Sequence, residues 1–277
     1  MKIFVSVLLI LVLALSLVIG FDEGAMELHD EALERAMVAF GLAKGLNAII
    51  SLMQGTELSV FGVNFTIGEV LDPFNDMVER FSWVMLASSV SLGFQKILLL
   101  LSSKVFLKVA ISLSVALSLF LIWQKQVQNF KPFIFSLRIL VLLLVLRFGA
   151  IFCVYGSEMF YNSILKPEYI NSTKIVKETE VKLKDFQNKI GSSKKENSWY
   201  DSLNISAKYK DIKEQLLKEF DSLKSSIEEA SKNIINLITI FIVQSVIMPL
   251  LFLWFFVVSI KWIFRVEIDD KLVYNLR

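Results

Sequence analysis

Long apolar runs, each close to the length needed to cross a bilayer, are interrupted once by a long charged segment. The runs are Phe4–Ile19, Phe81–Leu101, Val105–Trp123, Phe133–Tyr155 and Ile234–Phe264, and the charged segment extends from about Lys166 to Lys232. Lipid offers the backbone no hydrogen-bond partner, so a crossing chain must pair its own N–H and C=O groups. A helix of roughly 20 residues does this over the ~30 Å hydrocarbon layer. The expected fold class is all-α: a polytopic helical membrane protein with an inserted antiparallel, coiled-coil-like helical hairpin.

The order of the runs predicts a signal peptide or signal anchor over residues 1–20 and an extracytoplasmic or interfacial helical segment over 21–80. A three-helix transmembrane region over 81–155 follows, then the charged hairpin over 156–233, then a transmembrane helix and basic tail over 234–277. The short basic start Met1-Lys2 before a long apolar core suits either a cleaved or a retained leader. The basic tail with Lys125 and Lys131 favours a cytoplasmic C-terminus, which puts the hairpin outside and requires residues 37–53 to cross. Lys96, Lys104 and Lys108 favour the reverse arrangement; the external hairpin is the expectation adopted, in the cell (inner) membrane.

Composition removes several function classes. The net charge of +2 gives no global field to recruit nucleic acid. The single cysteine, Cys153, excludes an internal disulfide, and the single histidine, His29, excludes paired-histidine metal motifs. No glycine-rich phosphate loop or nucleophile elbow occurs, so a non-enzymatic chain without cofactor or metal is expected.

Residues 26–54 read as a helix that opens acidic and becomes apolar. Small residues recur at four-residue spacing, Ala32 with Ala36, Ala39 with Ala43 and Gly41 with Gly45. That spacing lets helix backbones approach closely. Lys44 leaves this stretch either a crossing or an interfacial helix. The alternating Val60, Phe61, Val63, Phe65 and Ile67 predict a short extended segment. Asp72-Pro73 predicts a helix start, with the carboxylate as cap and proline at the first position. Glu69, Asp72, Asp76 and Glu79 form an acidic vestibule candidate, although capping and the helix dipole account for Asp72 and Asp76 without a ligand.

Within Phe81–Leu101, Ser88, Ser91 and Gln95 share one helical face, and Ser114 and Ser118 share a face in the next span. Such faces either pack by hydrogen bonding or line a wet path. The short break at Ser102–Lys104 predicts that these two spans form an antiparallel hairpin. Arg147 lies near the middle of Phe133–Tyr155, where a charge is expensive. The apolar runs contain no carboxylate, so its candidate partners are Gln95, Gln244, a carbonyl, water, a lipid phosphate or an acid from a flanking segment. Pro249 should kink the last run and free the carbonyl near Ser245.

In the charged segment, Ile175, Thr179, Leu183, Phe186 and Ile190 keep a three-to-four spacing. So do Ile205, Tyr209, Ile212, Leu216, Phe220, Leu223, Ile227 and Ala230, and the stretch 191–202 between them reads as a turn. The expected partners are the lipid bilayer, further copies of the chain, and a protein bound at residues 172–232. The function this favours is a membrane scaffold or interaction protein that self-associates and presents the hairpin. The alternative is a subunit of an oligomeric channel or transporter built around Arg147.

Overall fold

The computed structural model describes residues 2–17, 20–54, 58–60, 63–65, 67–124, 131–200 and 206–265. The helices are α1 (Lys2–Leu17), α2 (Gly20–Gln54), α3 (Ile67–Ser103), α4 (Val105–Trp123), α5 (Lys131–Phe160), α6 (Lys166–Tyr200), α7 (Ser206–Ile242) and α8 (Met248–Arg265). Single π-helical turns, Tyr161–Leu165 and Val243–Ile247, join α5 to α6 and α7 to α8. A three-residue ladder pairs β1 (Leu58–Val60) with β2 (Val63–Phe65), Leu58 opposite Phe65. The rest of the described chain is essentially helical.

Five stretches are long and apolar enough to cross a membrane: Phe21–Gln54, Leu71–Ser103, Val105–Trp123, Pro132–Lys189 and Lys218–Trp262. Residues 37–53 thus fall in a helix of spanning length, whereas the first apolar run forms the shorter α1. Helix boundaries differ from expectation in two places. α3 begins at Ile67, which puts Pro73 inside the helix rather than at its start. The missing N–H removes one bond close to the helix end, where little cooperative structure precedes it. α6 runs to Tyr200, through most of the stretch read as a turn. Lys194, Lys195 and Glu196 are good helix formers that offset the nearby glycine and serines.

The chain divides into two compact units. The first comprises Met1–Leu33, Val90–Phe160 and Gln244–Arg277, and the second Glu34–Ser89 and Tyr161–Val243.

In the first unit, α4 packs on α1 and α5, and α5 packs on α8. Leu9, Ile111, Val115 and Leu140 form one buried apolar layer. Ala25, Leu99, Ile151 and Val154 form another. Polar contacts tie the first layer together: the Trp123 indole N–H donates to Ser6 Oγ at 3.2 Å, and the Ser118 and Ser136 hydroxyls meet at 2.8 Å. α5 and α8 approach through glycine. A Cβ at Gly149 would stand 3.1 Å from the Phe256 ring, and one at Gly156 would collide with Phe252, whose ring meets Phe152 edge to face.

The uninterrupted helix α5 acts as a ruler for α3 and α4. Ser136 meets Ser118, Arg147 and Lys108 meet at Asp22, and Ile151 and Val154 pack with Leu99. The partner numbers fall steadily across Lys104, so α4 continues where α3 ends instead of lying beside it. The expected antiparallel pairing of Phe81–Leu101 with Val105–Trp123 is therefore absent. Lys104, with φ −63° and ψ 147°, breaks the helix for one residue without reversing it.

In the second unit, Ala36, Ala39, Ala43, Leu46 and Ile50 form the buried stripe of α2, and Leu71, Phe74, Val78, Phe81 and Met85 that of α3. α6 packs along α7. Glu168 accepts from the Asn236 amide at 2.6 Å, the Ser172 hydroxyl donates to Asn233 at 3.0 Å, and Lys182 donates to Ser226 at 2.9 Å. Phe186 lies against Phe220, and Lys189 bridges to Glu219 at 2.8 Å. The buried stripe of α6 is Ser172, Val176, Thr179, Leu183 and Phe186. Val176, not its neighbour Ile175, takes the inner position. Ile190 and the α7 seam from Ile205 to Leu216 lie outside the described side chains.

Candidate functional site

The most costly group in the first unit is a buried arginine with a carboxylate partner. Arg147 is fully buried, and its guanidinium donates two parallel bonds to Asp22, Nη1 to Oδ1 at 2.6 Å and Nη2 to Oδ2 at 2.7 Å. This fork geometry fixes orientation as well as charge. Asp22 comes from the first turn of α2, where the helix dipole also favours an anion. Lys108, in the first turn of α4, places its ammonium 3.4 Å from Asp22 Oδ2. Of the partners the sequence allowed Arg147, the structure selects an acid from a flanking segment. Neither Gln95 nor Gln244 meets it.

A second polar knot surrounds Pro249. Proline has no N–H to offer the carbonyl four residues back, and a π-helical turn precedes it. The Ser245 carbonyl instead accepts from the Ser91 hydroxyl at 2.7 Å and from the Gln95 amide at 3.3 Å. Gln95 also reaches Ser91 Oγ at 3.4 Å. The polar face of α3 is thus spent on a backbone group of the turn before α8. Gln244 is buried in that same turn, and Ser88 is buried in the second unit.

Two contacts in this unit had no sequence signal beyond a lone residue. His29 is buried, and its Nε2 lies 2.8 Å from the Leu92 carbonyl. A carbonyl only accepts, so Nε2 carries the hydrogen. On the more exposed side of the same helix, Asp30 pairs with Lys96 at 2.6 Å.

The remaining candidates are dispersed. Ala39 and Ala43 lie on the buried stripe of α2. A Cβ at Gly45 would stand 3.0 Å from Glu180 Oε1, while nothing lies within 4 Å of one at Gly41. Asp72 accepts from the Gln54 amide at 2.7 Å instead of capping a helix start. Asp76 and Glu79 are exposed, and the side chain of Glu69 lies outside the described residues. Among the described residues, no three histidine, cysteine or carboxylate side chains converge. On α5 the glycines at a close helix contact are Gly149 and Gly156, seven residues apart. Their spacing is two helical turns, a signal the four-residue search passes over.

No family model, curated protein or solved structure matches the chain.

Proposed function

We propose that this chain is a non-enzymatic integral membrane scaffold of the cell (inner) membrane. Its apolar helices anchor it, and α6 and α7 form an antiparallel helical hairpin that gathers further copies of the chain or a protein partner. The observation that carries this reading is the seal around Arg147. A subunit lining a water-filled path would turn its intramembrane charge towards the lumen. Here the guanidinium is fully buried with both terminal nitrogens on Asp22, and Ser91 and Gln95 are spent on the Ser245 carbonyl. These polar groups hold helices together. The order of contacts supports the hairpin: Glu168 with Asn236, Ser172 with Asn233 and Lys189 with Glu219 rise along α6 as they fall along α7.

The test removes the hairpin without disturbing its roots. The side chains of Ser172 and Asn233 meet, Oγ to Oδ1 at 3.0 Å, so a short Gly-Ser linker can join residue 171 to residue 234. The full chain and the deletion variant are each expressed in two differently tagged copies and solubilised in mild detergent. Both should resist alkaline extraction from membranes, and only the full chain should recover its other-tagged copy. Equal recovery by the deletion variant would remove the gathering role of the hairpin.

A further inference from the structure

We infer that α3 and α4, placed end to end, make one membrane crossing between them. The chain then crosses four times, through α1, α4, α5 and α8. Both of its excursions from the first unit, Glu34–Ser89 and Tyr161–Val243, lie on the extracytoplasmic side. Depth decides this, and α5 measures it. Ser118 stands at Ser136, and Lys108 stands with Arg147 at Asp22, so α4 runs along α5 from near Lys131 to near Ala150. α1 lies at the same depth: Ser6 meets Trp123, and Leu9 packs with Ile111, Val115 and Leu140. α8 runs back along α5, with Phe252 at Gly156 and Phe256 at Gly149. Its last residue, Arg265, lies about 13.5 Å beyond Phe256, towards the same end. No charged residue occurs in 3–17 of α1, 109–123 of α4, 139–146 and 148–157 of α5, or 249–260 of α8. Lys131 to Val154 measures about 35 Å along α5, which an ordinary tilt fits to the ~30 Å hydrocarbon layer. Arg147 and Asp22 lie inside that layer, among these helices.

α3 finds no room of its own there. Val90 to Trp123 measures about 50 Å along α3 and α4, more than the layer holds at any usual tilt. The part left outside belongs to α3, because it runs beside carboxylates. α2 exposes Glu23, Glu27, Asp30 and Glu31 over about 12 Å. In their midst His29 meets the Leu92 carbonyl, and Asp30 pairs with Lys96. Such charges are costly in lipid, whereas α4 carries none after Lys108. α2 thus leaves the layer at the edge by which α3 returns, and an external hairpin no longer requires residues 37–53 to cross. Basic residues set the direction. Lys2, Lys125 and Lys131 mark the other edge, and Arg265, Lys271 and Arg277 stand at or after the end of α8 in the sequence. Only Lys96, Lys104 and Lys108 stand at the edge near Asp30, and the larger basic group faces the cytoplasm. The partner gathered by the hairpin is accordingly extracytoplasmic.

This inference rests on the membrane placement proposed above, and the two fail separately. The full-length chain carrying Cys153→Ser receives one cysteine at a time, Asp76→Cys, Lys177→Cys or Gln124→Cys, all at exposed positions. Right-side-out and inside-out membrane vesicles are treated with a membrane-impermeant maleimide. Asp76→Cys and Lys177→Cys should label in right-side-out vesicles alone, and Gln124→Cys in inside-out vesicles alone. A position silent in both preparations is replaced by Glu79→Cys, Lys174→Cys or Lys125→Cys, respectively. Labelling of the α3 and α6 positions from opposite faces overturns the shared crossing, because α3 would then cross by itself. Labelling of both from the inside-out face overturns the extracytoplasmic side, and labelling of Gln124→Cys from their face overturns the crossing count. Loss of the chain from the vesicles in an alkaline wash removes the membrane placement itself.

Discussion

Arg147 and Asp22, 125 residues apart in the chain, meet edge to edge at 2.6 and 2.7 Å and bury each other. An arginine amid apolar helices costs about 2.5–3.5 kcal/mol on insertion scales, so it persists only with a partner. Once the pair is buried, removing either member leaves an uncompensated charge, which costs about 3–5 kcal/mol. Asp22→Ala should therefore lower the thermal midpoint of the detergent-purified protein sharply. The Asp22→Leu/Arg147→Met double variant should recover most of that loss, since no lone charge remains. If Asp22→Ala changes stability by no more than the ~0.5 kcal/mol of an ordinary surface substitution, the pair is not holding the unit together.

Gly156 and Gly41 should behave oppositely although both are glycines in apolar helices. Gly156→Val pushes a side chain into the Phe252 ring, which also meets Phe152 edge to face. Overpacking of this kind costs about 1–3 kcal/mol. Gly41→Ala enters open space and gains up to about 1 kcal/mol of helix propensity. Thermal melts of the two variants check both signs. A destabilising Gly41→Ala beside a neutral Gly156→Val would reverse the assignment of the close helix contact.

The Ser245 carbonyl should be worth bonding only because Pro249 leaves it without its usual donor. Ser91→Ala should cost about 0.6–1.7 kcal/mol in the native chain, the range of interhelical hydrogen bonds in membranes. In a Pro249→Ala background, the restored N–H competes for that carbonyl and the cost should shrink. A double-mutant cycle on thermal stability measures the difference. A Ser91→Ala cost that is the same in both backgrounds would show that the proline does not create the acceptor.

What could be read along the chain were effects carried by single residues or by local length. Pro249 announces a freed carbonyl because the N–H is missing from its own ring. The runs announce membrane helices because length and apolarity are local properties. Arg147 announced a cost but not which partner, because Asp22 is one of several acids between residues 22 and 34. Nor could length give direction. Phe81–Leu101 and Val105–Trp123 are each of spanning length, so the break at Lys104 reads as a reversal. Only the partners along α5 show the two helices placed end to end. The same holds for Asp72-Pro73, where good capping chemistry is overridden by a helix that starts at Ile67.

The seam between α6 and α7 gives the last expectation. Leu183 is fully buried, whereas Val181, two residues earlier on the same helix, is 51% exposed. A two-residue step rotates the side chain by about 200°, so one faces α7 and the other faces away. Leu183→Ala removes buried methyl groups and leaves a cavity, at a cost of about 2–5 kcal/mol. Val181→Ala removes only exposed surface and should stay within about 0.5 kcal/mol of the native protein. The two helices are also tied by the buried Ser172–Asn233 bond. Loss of the Leu183 side chain should therefore loosen the part of the pair near Phe186 and Phe220 first. Amide hydrogen exchange should show faster exchange over residues 183–189 and 219–226 in Leu183→Ala, with residues 168–172 and 233–236 still protected. Uniform exchange along the whole pair would mean that the seam melts as one unit, and that the polar bonds at its base do not hold it independently.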